Sequence, residues 1–147
     1  MKIVEKDFAE ELRARYMSKY IDTSSDAYKE RIAKLYKMSD GICYIGYMWD
    51  CFKNYIITDE KKCLEFLTQK NEYMVLWDIN SRDYIKICDY WKYSKDTVIS
   101  LRSNELAEVL STLPEDIYFF DETFTWTVVL THETTEKGKR SCILLDK

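Results

Sequence analysis

The chain has 147 residues, of which 33% are charged and 46% are hydrophobic, and its formal net charge is −4. This length suits one domain with its own hydrophobic core, and the composition is globular rather than disordered. The acidic balance and the absence of a Lys/Arg cluster argue against a nucleic-acid partner, because phosphate binding requires a basic face.

Targeting and cysteine patterns predict a cytoplasmic protein. Residues 1–7 carry charges where a signal peptide would be apolar, and the longest apolar run, residues 42–49, is too short to span a bilayer. The five cysteines are widely spaced and contain no CxxC pair, which argues against disulfides and zinc. With three glycines the chain also lacks a Gly-rich phosphate loop. We therefore predict no membrane association, metal or cofactor.

The N-terminal third is predicted to be helical. Residues 4–20 form an amphipathic helix with apolar residues at fourfold spacing: Val4, Phe8, Leu12, Tyr16 and Tyr20. Ser24 to Asp26 are predicted to cap a second helix, which Asp40-Gly41 ends. Its apolar face comprises Tyr28, Ile32, Leu35 and Tyr36. Residues 42–56 show apolar spacings of three and four that favour a helix, although their strand propensity is also high. Residues 55–57 are predicted to turn into a short strand.

The middle of the chain mixes both element types. Thr58 is predicted to cap a helix that runs to Gln69. Residues 73–79 are apolar on both faces, which predicts a central strand covered on both sides. Residues 84–91 fit the helical and the strand periodicity equally well, so their secondary structure is not assigned. A short strand is predicted over residues 97–101, followed by a helix from Ser103 that Pro114 ends.

The C-terminal third carries the clearest pattern. Residues 117–121 predict a strand, and residues 124–133 alternate so that Trp126 enters the core and a threonine-rich face meets solvent. A turn at residues 137–139 then returns a partner strand over residues 141–145. These elements predict one α+β domain spanning residues 1–147, with N-terminal helices packed on a mixed or antiparallel sheet of four to five strands ending in a C-terminal hairpin.

Acidic residues dominate the C-terminal third, where no Lys or Arg occurs between Leu113 and Thr134. The acids are Glu115, Asp116, Asp121, Glu122 and Glu133. Paired carboxylates support glycoside chemistry or magnesium binding, but these pairs fall at predicted turns, where solvated acids are common. They form either a solvated acidic rim without a partner, or a surface that recognises a cationic partner together with exposed aromatic side chains.

His132, the single histidine, lies near the end of its predicted strand. A lone histidine cannot form a two-histidine metal site, and a catalytic role requires a nucleophile or an orienting acid. Because Glu133 points to the opposite strand face, we favour a packed or hydrogen-bonded histidine.

The segment Tyr47-Met48-Trp49-Asp50-Cys51-Phe52 resembles the Leu-Trp-Asp-Cys-Leu helix of the barstar-like ribonuclease inhibitors. In that family the helix presents its Asp to the basic active site of a nuclease. The resemblance therefore implies that Asp50 is the matching acid and Trp49 the neighbouring aromatic.

The resemblance is local. The strand, helix and strand that follow this helix in the family are matched here by residues 55–57, 58–69 and 73–79. The Tyr-Gly-x-Asn lead-in of the family is missing, and the hairpin from Ile117 onward has no counterpart. In general style, the small, acidic, Tyr/Trp-rich chain is also similar to bacterial toxin-immunity proteins.

The leading hypothesis is a non-enzymatic protein-binding domain of inhibitor or immunity type that covers a basic surface on a protein partner such as a toxin. The residues predicted to contact this partner are Trp49, Asp50, Asp78, Asp121 and Glu122. The alternatives are a small hydrolase or ligand-binding domain that uses His132 with nearby carboxylates, and a structural domain without a ligand.

Overall fold

The computed structural model describes residues 1–34, 36–38, 41–43, 46–78 and 96–146, with the backbone alone for residues 36–38 and 41–43. Its helices are α1 (Lys6–Tyr20), α2 (Glu60–Thr68) and α3 (Leu106–Val109). Its strands are β1 (Lys2–Ile3), β2 (Tyr36–Met38), β3 (Gly41–Cys43), β4 (Ile57–Asp59), β5 (Glu72–Trp77), β6 (Ile99–Arg102), β7 (Ile117–Phe120), β8 (Trp126–Thr134) and β9 (Arg140–Asp146). Single helical turns occur at Tyr28–Ile32, Met48–Cys51, Ser103–Glu105 and Leu110–Thr112.

Seven strands form one antiparallel sheet in the order β1-β6-β5-β7-β8-β9-β4, and β2 pairs with β3 separately. The predicted α+β class and the terminal hairpin, β8 with β9, are confirmed. The predicted count of four to five strands is too low. The two edge strands, β1 and β4, contain two and three residues, which is too few to show an alternating pattern.

Helices cover both faces of the sheet. On one face α1 packs Leu12 and Tyr16 against Tyr118 and Phe120 of β7. On the other face α2 and α3 cover a second core, whose members include Cys63, Leu67, Leu106, Trp77, Phe119 and Trp126. Because both faces are covered, the central strands are apolar on both sides, as predicted for β5. Ile79, the predicted last residue of that strand, lies outside the described residues.

The threonine-rich face of β8 is buried, contrary to the prediction that it meets solvent. Thr127 and Thr131 are 0% and 2% exposed, because α1 packs over this side of the strand. The Tyr16 hydroxyl lies 2.7 Å from Thr127 Oγ1, which in turn donates to the Phe119 carbonyl at 3.0 Å. Threonine is compatible with this burial because its hydroxyl finds protein partners. Trp126 is buried in the core, as predicted.

The predicted helix over residues 42–56 is wrong. This stretch contains β3, then a single 3₁₀ turn at Met48–Cys51, and an extended segment that leads into β4. The turn stops because the chain pairs with the end of α1: the Lys53 N–H donates to the Tyr20 carbonyl at 2.9 Å, where a helix would use Trp49. The apolar spacing of residues 42–56 therefore gave the wrong element, because a local pattern carries no information about pairing with the end of α1.

The other helix boundaries differ more modestly. The predicted second helix is present only as the turn Tyr28–Ile32. Ser25 caps this turn as predicted, because its Oγ accepts a hydrogen bond from the Tyr28 N–H at 3.2 Å. Asp59, rather than Thr58, caps α2. The open assignment of residues 84–91 falls outside the described residues. None of the helices described is long and apolar enough to cross a membrane.

We expect Thr127→Val to lower the free energy of unfolding by about 1–3 kcal/mol, because the buried Tyr16 hydroxyl loses its partner. Thr134→Val, on the exposed end of the same strand, is the matched control and should change stability by less than about 0.5 kcal/mol. Chemical denaturation measures both. Equal effects at the two positions would contradict the burial of this face.

Candidate functional site

The buried carboxylate of Asp116 organises one end of the sheet. Asp116 is 2% exposed and lies directly before β7. Its Oδ1 accepts the Trp49 indole N–H at 2.9 Å and the His132 peptide N–H at 3.1 Å. The His132 ring contacts the same carboxylate, with Nδ1 lying 3.0 Å from Oδ1 and 3.1 Å from Oδ2. One acid therefore holds two side chains from distant parts of the chain.

Strand register explains why these groups meet. Trp77 of β5 and Leu130 of β8 both pair with Ile117, the first residue of β7. Asp78 directly follows β5, and His132 lies two residues beyond Leu130 within β8, so both reach the beginning of β7. There the Asp78 N–H donates to the Asp116 carbonyl at 3.1 Å. The antiparallel pairing thus gathers acids and a histidine that are far apart in sequence.

A second acid, Asp78, holds the 3₁₀ turn against the sheet. Its Oδ2 accepts the Met48 N–H at 3.0 Å and the Tyr118 hydroxyl, and that hydroxyl accepts the Trp49 N–H at 3.0 Å. The first N–H groups of the turn are therefore satisfied by the ends of β5 and β7 rather than by water. This anchoring places Trp49 over Asp116.

Three aromatic rings form a contiguous group above these acids. The rings of Tyr47 and Trp49 stack with centroids 5.7 Å apart, and the His132 ring lies 4.7 Å from Tyr47 and 6.0 Å from Trp49. Tyr47 and Trp49 are half-buried and His132 is exposed. We call the group Tyr47, Trp49, Asp50, Asp116 and His132 the aromatic–acidic patch.

The charge around the patch is mainly negative. Asp50 is exposed on the 3₁₀ turn, and Glu115 and Glu133 are exposed on either side of Asp116 and His132 in the chain. Desolvation and the charge of Glu133 raise the pKa of Asp50, against the influence of Arg31 and His132. Three acids therefore border the aromatic rings, and a cationic group is the complementary ligand.

Asp116 determines the state of His132. Partial burial lowers the pKa of His132, but the hydrogen bond and the charge of Asp116 outweigh it, together with Glu133 and Glu115, and leave the pKa above 6.5. Because Nδ1 binds the carboxylate, Nε2 is the ring nitrogen that remains for a ligand or a proton. Nε2 can therefore donate to an acceptor or exchange a proton.

Desolvation and the charge of Asp116 raise the pKa of Asp78 to about 7, against hydrogen bonds from Tyr118 and Met48 that lower it. Because its pKa is higher in the folded state, Asp78 contributes its full stabilisation when it is protonated, below the ordinary pKa of an Asp carboxyl. This contribution to the free energy of unfolding is lost as the pH rises through about 7. Asp78 is half-buried, and its carboxylate is bonded to the Met48 N–H and the Tyr118 hydroxyl beneath the patch.

The structure separates the five predicted partner-binding residues. Trp49, Asp50 and Asp78 lie together at the beginning of β7, whereas Asp121 and Glu122 follow its other end, about 13 Å away for four strand residues. Asp121 binds the Trp126 indole N–H at 2.6 Å and the Thr123 N–H at 2.9 Å, so it stabilises a turn. Glu122 is exposed.

The sequence pattern assigned no role at this site to Asp116, Tyr47 or Tyr118. Asp116 was interpreted as a solvated turn acid, but it is buried and bonded to three N–H groups. Its position between Pro114 and an apolar strand was the available signal, because a carboxylate entering a core needs fixed partners. Among the described residues, no group of three or more His, Cys, Asp or Glu side chains is arranged to hold a metal ion.

We expect Asp116→Asn to lower the pKa of His132, because the substitution removes the negative charge and the carboxylate that bind Nδ1. Glu115→Gln is the matched control, since it removes one neighbouring charge without removing a hydrogen bond to the ring. An NMR titration of the imidazole resonances should show the larger fall for Asp116→Asn. Equal falls would mean that the hydrogen bond contributes nothing.

The segment that resembles the barstar-like helix is a single 3₁₀ turn in this structure. No protein-family model matches the chain, and no curated protein or solved structure shows significant similarity to it.

Proposed function

We propose that this chain is a non-enzymatic protein-binding domain of inhibitor or immunity type that presents the aromatic–acidic patch to a basic protein partner. One observation carries the proposal: the buried Asp116 carboxylate holds the Trp49 and His132 rings side by side at the surface, next to the exposed Asp50. The rings therefore need little further ordering when a partner binds.

The residue types of the patch suit a protein interface. Trp and Tyr bury a large area with few rotatable bonds and are frequent energetic anchors at interfaces. Trp49 is positioned by both its indole and its peptide N–H, the latter bonded to the Tyr118 hydroxyl at 3.0 Å. Trp49 is thus the expected anchor, and Tyr47 stacks beside it.

The acids give the patch a preference for basic partners. Asp50, Glu115 and Glu133 surround the rings, and their attraction for a cationic surface accelerates encounter and disfavours acidic proteins. An Arg or Lys side chain of the partner can also lie on an exposed ring face. A basic toxin is one partner with this chemistry.

The test uses the purified products of the genes adjacent to the one encoding this chain, with binding followed by calorimetry and association kinetics. We expect one of them to bind, and Trp49→Ala to weaken that binding by roughly tenfold or more, as for a buried anchor. Asp50→Asn should mainly slow association and reduce its salt dependence.

Glu122→Gln is the control for Asp50→Asn, because each removes one negative charge from an exposed acid, at opposite ends of β7. It should leave binding unchanged. The proposal fails if none of the gene products binds, or if Trp49→Ala and Asp50→Asn bind as tightly as the unmodified chain while remaining folded.

A second candidate function rests on the pair of Asp116 and His132. A carboxylate that binds Nδ1 orients an imidazole as a general base, and Nε2 is then free to take a proton from water or a hydroxyl. The pair supports a small hydrolase as an alternative, although no described hydroxyl or thiol hydrogen-bonds with His132 Nε2.

The hydrolase candidate predicts turnover that depends on His132. Chromogenic ester, phosphodiester and glycoside substrates should be cleaved by the unmodified chain and not by His132→Gln, with a rate that rises as the pH passes the raised pKa of His132. Asp50→Asn should leave that rate largely unchanged. Absence of His132-dependent turnover on all three substrate classes would exclude this candidate.

A further inference from the structure

The aromatic–acidic patch contains a basic side chain of its own. The ring centroid of His132 lies 4.7 Å from that of Tyr47 and 6.0 Å from that of Trp49. A cation within about 6 Å of an aromatic centroid is attracted by the π electrons, so a protonated His132 interacts with both rings. It also neutralises Asp116, whose Oδ1 lies 3.0 Å from Nδ1. The imidazolium therefore competes with a basic partner for the same rings.

Several acids surround His132. Asp116 and Glu115 directly precede β7, Glu133 follows His132 in β8, and the charges of all three act on its ring. Asp50, on the 3₁₀ turn, also interacts with His132. Loss of the proton from His132 makes this group more negative by one charge, which strengthens its attraction for a cationic surface.

Two arginines also lie near these acids. Arg140 of β9 donates to the Thr131 and Glu115 carbonyls, with 2.7 Å between its Nε and the Thr131 oxygen. Arg31, from the helical turn that follows α1, influences Asp50. A guanidinium stays charged throughout the physiological pH range, so both arginines contribute a constant charge. The histidine is thus the basic group of the patch whose charge can change.

We propose that protonation of His132 regulates the patch: a basic partner binds when the ring is neutral and is opposed when the ring is an imidazolium. The inference rests on the proposed function, because it concerns the same surface and the same class of partner. No movement of the backbone is required, since the ring already lies beside the acids and the aromatic side chains that the partner would contact.

Proton binding at His132 and partner binding at the patch are thermodynamically linked. Partial burial lowers the pKa of His132, but the hydrogen bond and charge of Asp116, together with Glu133 and Glu115, leave it above 6.5 in the free chain. A cationic partner opposes the imidazolium, so its binding lowers this pKa and releases a proton. The contribution of His132 therefore raises the affinity as the pH increases to the pKa of the free chain, and is constant above it.

The test uses a hexa-arginine peptide with blocked termini, because its charge is constant between about pH 5 and about pH 8. Calorimetry at physiological ionic strength should show binding to the unmodified chain that is roughly tenfold tighter at the higher pH, equivalent to a fall of about one in the pKa of His132. An NMR titration with and without the peptide measures that pKa directly, since His132 is the single histidine of the chain. Trp49→Ala should weaken binding, which locates the peptide at the patch.

Two variants assign the pH dependence. His132→Gln should bind the peptide with little difference between the two pH values, whereas Glu122→Gln, outside the patch, should retain the full difference. Asp78, which follows β5 beneath the patch, also titrates, with a pKa of about 7. A His132→Gln variant that retains the full pH dependence therefore assigns it to Asp78 and overturns the proposal. Circular dichroism at both pH values establishes that the variants are folded, and the NMR titration needs no variant.

The regulation and the proposed function can fail separately. A peptide that binds at the patch without lowering the pKa of His132 overturns the regulation, and the protein-binding function still stands. A peptide that binds at neither pH, or whose binding Trp49→Ala leaves unchanged, also overturns the regulation. The binding test with the adjacent gene products then decides the proposed function by itself.

Discussion

The structure depends on the buried charge of Asp116. A carboxylate removed from water is strongly unfavourable unless hydrogen bonds replace its hydration. Trp49 and His132 supply three N–H groups to it. Satisfying one acid therefore fixes the position of the 3₁₀ turn and of the end of β8, and brings two aromatic side chains to one place on the surface.

Asp78 completes this arrangement from the neighbouring strand. It accepts the Met48 N–H and the Tyr118 hydroxyl, so the turn is held at two points. The two acids have different roles despite their proximity. Asp116 binds a histidine whose positive form it stabilises, whereas Asp78 lies where ionisation is opposed by desolvation and by Asp116 itself. The aromatic–acidic patch therefore depends on both acids: Asp116 orients the rings, and Asp78 holds the turn that carries Trp49.

The chain between α1 and α2 contributes to the proposed contact. Its 3₁₀ turn carries Trp49 and Asp50 of the aromatic–acidic patch, and the residues after the turn lead into β4. These residues leave the helical path because they pair with the end of α1. An irregular segment held by a rigid scaffold is a common location for binding residues.

The sequence alone determined the α+β class, the helix α1, the central strand β5 and the C-terminal hairpin, because each has a local periodicity long enough to recognise. It also placed Trp126 in the core. Trp49, Asp50 and Asp78 were identified from charge and a local resemblance, and only the structure brings them together.

The tertiary structure decided what depends on contacts between distant segments. The threonine face of β8 is buried because α1 covers it, and residues 42–56 are not a helix because Lys53 bonds to Tyr20. From the sequence pattern Asp116 is an ordinary turn acid. Only the strand register shows that Trp49 and His132 bind it. Local pattern reports which face of an element is apolar, but not what covers that face or which partners satisfy a buried charge.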